Sequence, residues 1–274
     1  MSATAIAQRV ALGTGGVTQT RVIESEWVKF RSLRSTLFSL LAAVVCTVGL
    51  GILISALRAN DFKQHGVLKG IGGFDPTAHS LRGLYLAQLA IGVLGVLVIT
   101  GEYSTGMVRA TFAAVPRRLP VLWAKIAVFS VVVFVVSFVA SLVAFLAGQA
   151  FLGTAHVGVS LGSPGAARAV LGGALYLTIT GLLAVGLGFV LRNTAGAIAT
   201  LFGLLLVLPV IAQALPSSWY DDVYKYLPMP AGGQIMTTVT DRTLLSPWAG
   251  LGVFAVYAVV AVAAGAFVLK RRDA

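Results

Sequence analysis

The chain has 274 residues, of which 58% are hydrophobic and only 11% charged. Soluble domains carry about 25% charged residues, so the composition excludes a soluble domain and places the chain in a membrane. Its net charge of +11 falls on few water-facing residues. Membrane topology and anionic headgroups account for that excess, and nucleic acid is not implied as a partner.

Residues 1–17 are small and polar, with Gly13, Gly15 and Gly16. They read as a disordered tail and not as a cleaved signal peptide. Residues 18–274 read as a single domain. From Thr18 to Thr36, Ile23, Trp27, Phe30, Leu33 and Leu37 recur at helical spacing. Arg21, Glu24, Lys29, Arg31 and Arg34 fall mostly on the other sides. An amphipathic helix lying along the membrane surface is predicted.

Six apolar runs follow, at about 37–57, 83–100, 126–147, 169–191, 194–215 and 248–269. Each is close to the roughly 20 residues that cross a bilayer core. None contains Asp, Glu, Lys, Arg or His, so an all-α membrane protein with six transmembrane helices is predicted. Cys46 lies inside the first run and is the only cysteine, which excludes an intrachain disulfide. With both termini inside, 13 of the 20 basic residues lie on the inner side, including Lys270, Arg271 and Arg272 directly after the last run. That bias predicts cytoplasmic termini.

Between runs two and three lies the polar, basic stretch Gly101–Lys125. Val108, Phe112 and Val115 are spaced for a short amphipathic helix, with Thr111 beside them. Ser104 or Thr105 is placed to cap its start and Glu102 lies near that start. Pro116 ends it, Arg117 and Arg118 follow, and Pro120 suits the first turn of the next helix. The simpler reading is a basic loop that holds topology through Arg117 and Arg118.

Arg192-Asn193 makes a tight turn between runs four and five. The stretch from Pro216 to Pro247 carries Trp219, Tyr220, Tyr224 and Tyr226, residue types of the membrane–water interface. Pro228 and Pro230 divide it into two short elements, read as helices.

Several chemistries are absent. The sequence has no GxxxxGK[ST] or HExxH, and no cysteine pair. Phosphate cradling and metal binding are therefore unsupported, and no catalytic residue is predicted. The apolar runs lack the ionisable groups of ion-coupled carriers. Gln88 and Gln213 are their most polar side chains, read as interhelical hydrogen-bonding groups or as weak candidates for a substrate pathway.

Three segments carry a resemblance. Gly101-Glu102, Gly106, Arg109, Thr111, Pro116-Arg117-Arg118 and Lys125 resemble the coupling-helix loop of ATP-binding-cassette (ABC) exporter permeases of the second type. Glu26, Trp27, Lys29, Arg31 and Ser32 resemble the connecting helix of the same family. Tyr226-Leu227-Pro228, Ala231-Gly232 and Ile235 resemble its outer helical hairpin before the last span.

The resemblance implies a permease subunit that exports an amphipathic substrate such as a drug, lipid, peptide or glycan. It implies a separate ATPase in two copies, which binds the ATP and Mg, and a second permease copy or homologue. This chain would bind no cofactor and no metal, and would hydrolyse no ATP. Its coupling residues would be Glu102, Arg109, Phe112, Arg117 and Arg118, with Glu26, Trp27, Lys29, Arg31 and Arg34 on the connecting helix. Glu102 would pair with Arg31, Arg34 or an arginine of the ATPase. With 14 Arg against 6 Lys and much Ala, Gly and Val, the chain reads as a GC-rich bacterial product, so a bacterial cell membrane is expected. The alternative is a membrane scaffold or sensor subunit that transports nothing.

Overall fold

The computed structural model describes residues 18–65, 74–107, 118–239, 241 and 243–271. Those residues form helices and turns and no strand. The order begins α1 (Gln19–Ser32), α2 (Arg34–His65), α3 (Pro76–Ser80), α4 (Leu84–Ser104) and α5 (Arg118–Gly153). After α6 (Ala166–Leu191) come α7 (Thr194–Phe202), a π turn (Gly203–Val207) and α8 (Leu208–Ala212). Then come α9 (Ser217–Tyr224), α10 (Pro228–Gly233), a 3₁₀ turn (Gln234–Met236) and α11 (Pro247–Arg271).

Six helical stretches among the described residues are long and apolar enough to cross a membrane: α2, α4, α5, α6, α7 through α8, and α11. The multi-pass prediction therefore holds. Several spans run beyond the apolar runs. The first continues past Leu57 through Arg58, Asp61 and Lys63, and the third starts at Arg118 rather than near Ile126. Charged residues end the apolar signal but do not end a helix, because long charged stems can follow the helix out to water. Pro120 does fall in the first turn of α5.

Helix α6 is the centre of the bundle. It packs against α4, α5 and α11, while α2 lies against α4 and α5. Tyr176 of α6 is fully buried. Its hydroxyl donates to Gln88 Oε1 on α4, and Gln88 Nε2 donates to the Tyr85 carbonyl at 2.8 Å. The amide is thus satisfied within the chain, as a buried polar group requires.

Close approach of backbones shapes the contacts. A Cβ on Gly83 would stand 2.3 Å from the Cys46 carbonyl oxygen and 2.4 Å from that of Thr47. One on Gly186 would lie 2.5 Å from the Ala261 carbonyl carbon. Gly49, by contrast, has nothing within 4 Å of that position. Gly83→Ala is therefore expected to lower stability by about 1–3 kcal/mol, whereas Gly49→Ala is expected to be neutral or stabilising. Paired thermal melts in detergent check this contrast, and equal midpoints would contradict it.

The two ends of the bundle differ. One end holds α1, the start of α5, the Arg192-Asn193 turn and the end of α11. The other holds α3, the α5–α6 connection, α9 and α10.

Candidate functional site

At the first of these ends, α1 is fastened to α5 by one face. Val22, Glu26 and Phe30 are its buried residues and follow an i, i+4, i+8 row. Val22 packs with Val121 and Ala124, and the Phe30 ring meets Phe129 edge-on at 6.2 Å. Gln19 Nε2 donates to the Pro120 carbonyl at 3.0 Å. This packed row differs from the apolar stripe read along the sequence. Ile23, Trp27 and Leu33 are exposed, and the row that packs includes a glutamate in place of Trp27. An exposed tryptophan beside a basic face suits a membrane surface.

Glu26 is buried because it is paired. Lys125 Nζ lies 2.6 Å from one Glu26 oxygen and Lys29 Nζ 2.7 Å from the other. Lys125 also reaches Glu102 at 2.8 Å, and Lys29 reaches the same Glu102 oxygen at 3.2 Å. Two carboxylates and two ammonium groups thus close a neutral ring across α1, the end of α4 and the start of α5. Glu26 and Lys125 are 4% and 5% exposed, so water does not screen the pair. Burial works against the charge on Lys29, but the Glu26 hydrogen bond and the charges of Glu26 and Glu102 outweigh it. Its pKa is raised above the ordinary lysine value of 10.5.

Glu102 therefore pairs with Lys29 and Lys125, not with Arg31 or Arg34, which are both exposed on the surface. The reason is geometric. Lys29 lies on the turn that also carries Glu26, and Lys125 stands opposite on α5. Glu102 lies in the last turn of α4, and the Ser104 and Thr105 hydroxyls donate to the Gly101 carbonyl. They close the end of α4; the residues whose N–H groups they would cap in the next helix lie outside the described residues. The helix dipole disfavours a carboxylate at Glu102, and the contacts with the two lysines offset that. Gly106 follows at φ +72°, the left-handed position that commonly ends a helix.

The stretch 108–117 lies outside the described residues, and with it Arg109, Phe112 and Arg117 and the amphipathic helix expected there. Arg118 opens α5. The ring of charges sits on both flanks of this stretch, through Glu102 before it and Lys125 after it.

The adjoining turn is tied in as well. Arg192, at φ +51°, ends α6, and Asn193 Oδ1 accepts the Gly196 N–H at 2.8 Å to start α7. The Arg192 guanidinium lies over the Tyr103 ring at 5.0 Å, and Thr194 donates to Thr100 at 2.8 Å. The start of the fifth span is thereby bolted to the last turn of α4, next to Glu102. Among the weaker candidates, Gln88 is occupied inside the core, and Gln213 is exposed just after α8.

A family model described as ABC-2 family transporter protein matches residues 22–212, more than half of the chain. The chain belongs to the ABC-2 transporter family. The match runs from the buried Val22 of α1 to the end of the fifth span, so the ring of charges lies wholly within it. No curated protein matches the chain. ABC-2 permeases are the membrane component of their transporters, generally paired with an ABC ATPase whose activity belongs to separate subunits.

Sequence reasoning missed a second cluster, at the opposite end. Asp75 caps α3 by accepting the Ala78 N–H at 2.9 Å. It also accepts the N–H groups of Thr238 and Val239 and the Thr238 hydroxyl. Arg168, at the start of α6, donates to the Thr237 carbonyl. These bonds tie the connection between the first two spans to the segment before the last one. Burial opposes the charge on Asp75, but the three backbone donors and Thr238 outweigh it and lower its pKa below 3.8. Nearby His79 is held down to about 4 by burial and by Arg82 and Arg58, so it is neutral at pH 7. The Asp75-Pro76 pair was a legible helix start, but its partners 163 residues away were not.

Proposed function

We propose that this ABC-2 chain is the permease subunit of an exporter for an amphipathic substrate, driven by ATP hydrolysed in a separate nucleotide-binding subunit. Two ATPase copies and a second permease copy or homologue complete the assembly. It sits in a bacterial cell membrane with both termini cytoplasmic. The observation that carries this reading is the ring of Glu26, Lys29, Glu102 and Lys125. It joins α1 to both flanks of the 108–117 stretch, so a push on that stretch is passed to α1, α4 and α5 together. A loop that only held topology would need Arg117 and Arg118 but no buried ring.

In this reading Val108, Phe112 and Val115 fill a groove on the ATPase, and Arg109, Arg117 and Arg118 flank the contact. Trp27, Arg31 and Arg34 hold α1 at the membrane surface. ATP and Mg are bound by the partner and not by this chain.

Co-expression with an ABC ATPase encoded beside its gene tests the assignment. The two are expected to co-elute, and ATP turnover is expected only with the ATPase present. Phe112→Ala is expected to weaken assembly by about tenfold or more, as for a buried aromatic anchor, without loss of membrane insertion. A stable lone protein that never binds the ATPase would favour a non-transporting scaffold.

A further inference from the structure

The bundle is split on one side. Between the first turns of α5 and the second half of α11, with α6 as floor, runs a groove of about 600 Å³. Its floor is Ile179 and Leu182, and Leu119, Trp123 and Ile126 form the α5 wall. Half of the α11 wall is alanine, which leaves space: Ala255, Ala258, Ala263 and Ala266 do not reach across. Among the described residues Lys270 is the only charged one lining the groove, and it lies at the end where α11 leaves the membrane. Next to it, the Arg271 guanidinium lies over the Phe267 ring at 4.4 Å, on the rim of the same groove.

The dimensions select the occupant. From Ala255 to Lys270 the groove follows α11 for about 22 Å, at 1.5 Å per residue. A helix with side chains is about 10 Å across, so a segment of that length would fill roughly 1,700 Å³. A neighbouring helix cannot lie within 600 Å³ and would seat only a row of its side chains there, whereas a single extended hydrocarbon chain is slender enough to lie along the whole groove. The charge selects the headgroup. An apolar channel that ends on a lysine, with an arginine beside it, matches a chain ending on a negative group at the membrane surface. Trp123, exposed on the α5 wall, is a residue type favoured at that level.

We propose that this groove is a binding site for one anionic glycerophospholipid of the surrounding bilayer. An acyl chain lies between α5 and α11, and the phosphate rests on Lys270. The site does not depend on the transport reading, and its test is independent of any ATPase.

The test uses the full-length chain with Trp27, Trp219 and Trp248 replaced by Phe, so that Trp123 alone emits. It is reconstituted in phosphatidylcholine vesicles containing rising fractions of phosphatidylglycerol or phosphatidylcholine with brominated acyl chains, which quench tryptophan on contact. Half-maximal quenching is expected at a brominated phosphatidylglycerol fraction about fivefold lower than for brominated phosphatidylcholine. Lys270→Gln is expected to abolish most of that preference, and Lys270→Arg to keep it. Ala266→Leu narrows the groove without altering charge and is expected to weaken quenching by both lipids. Equal quenching by the two lipids in the parent would mean ordinary annular lipid and would overturn the site. So would a preference that survives Lys270→Gln, quenching unchanged in Ala266→Leu, or a Trp123 shielded from both lipids by a second copy.

Discussion

Lys125→Met is expected to destabilise the protein by about 3–5 kcal/mol, the cost of leaving a buried charge without its partner. The stem of the lysine is conserved by methionine, so packing changes little. What is lost is the ammonium 2.6 Å from Glu26 and 2.8 Å from Glu102. Two carboxylates would then share Lys29 alone, in a place where Glu26 is 4% exposed. Replacing both buried members, as Glu26→Leu with Lys125→Leu, is expected to recover much of the loss, because an apolar pair carries no desolvation cost. Thermal melts of the single and double variants in one detergent separate the two effects. A Lys125→Met midpoint equal to the parent's would show that the ring is solvated and holds nothing together.

Asp75→Ala is expected to cost about 3 kcal/mol or more at the other end, since hydrogen bonds to a charged acceptor contribute about 1.5–3 kcal/mol each. The Ala78, Thr238 and Val239 N–H groups and the Thr238 hydroxyl would all lose their acceptor. Asp75→Asn keeps one oxygen and is expected to cost less. The same clamp gives a pH dependence. The folded-state pKa of Asp75 is lowered below 3.8, so its contribution is fully present above 3.8 and fades as pH falls through the folded value. The difference between parent and Asp75→Ala is therefore expected to be constant from pH 7 to 5 and to shrink below 3.8. A difference that grows on acidification would contradict the assignment of the carboxylate as acceptor.

The spans were legible because an apolar run without charge has one outcome in a membrane. The lengths of the spans were less so, since Arg58, Lys125 and Lys270 continue helices that hydropathy alone would stop. The amphipathic character of α1 was also legible, but its packed row was not. Ile23 and Trp27 mark the stripe that faces the membrane surface, and only the pairing with Lys125 makes Glu26 a buried residue. Lys125 stood in the motif as one basic residue among several. Nothing local marks it as the partner of a glutamate 99 positions earlier. The Asp75 clamp was hidden for the same reason, because nothing local to Asp75 marks Thr238 and Val239 as its partners.

The account turns on whether the ring carries force from the ATPase into the spans. Glu102 is the member to change for that purpose, because its side chain is 12% exposed and its loss spares the buried Glu26–Lys125 contact. Glu102→Gln, reconstituted in vesicles with its ATPase, is expected to assemble and hydrolyse ATP while its ATP-dependent movement of an amphipathic dye falls by about tenfold or more, as its contacts with Lys29 and Lys125 lose their charge. Transport and hydrolysis both equal to the parent's would contradict the account and leave the 101–125 stretch as a loop that only holds topology.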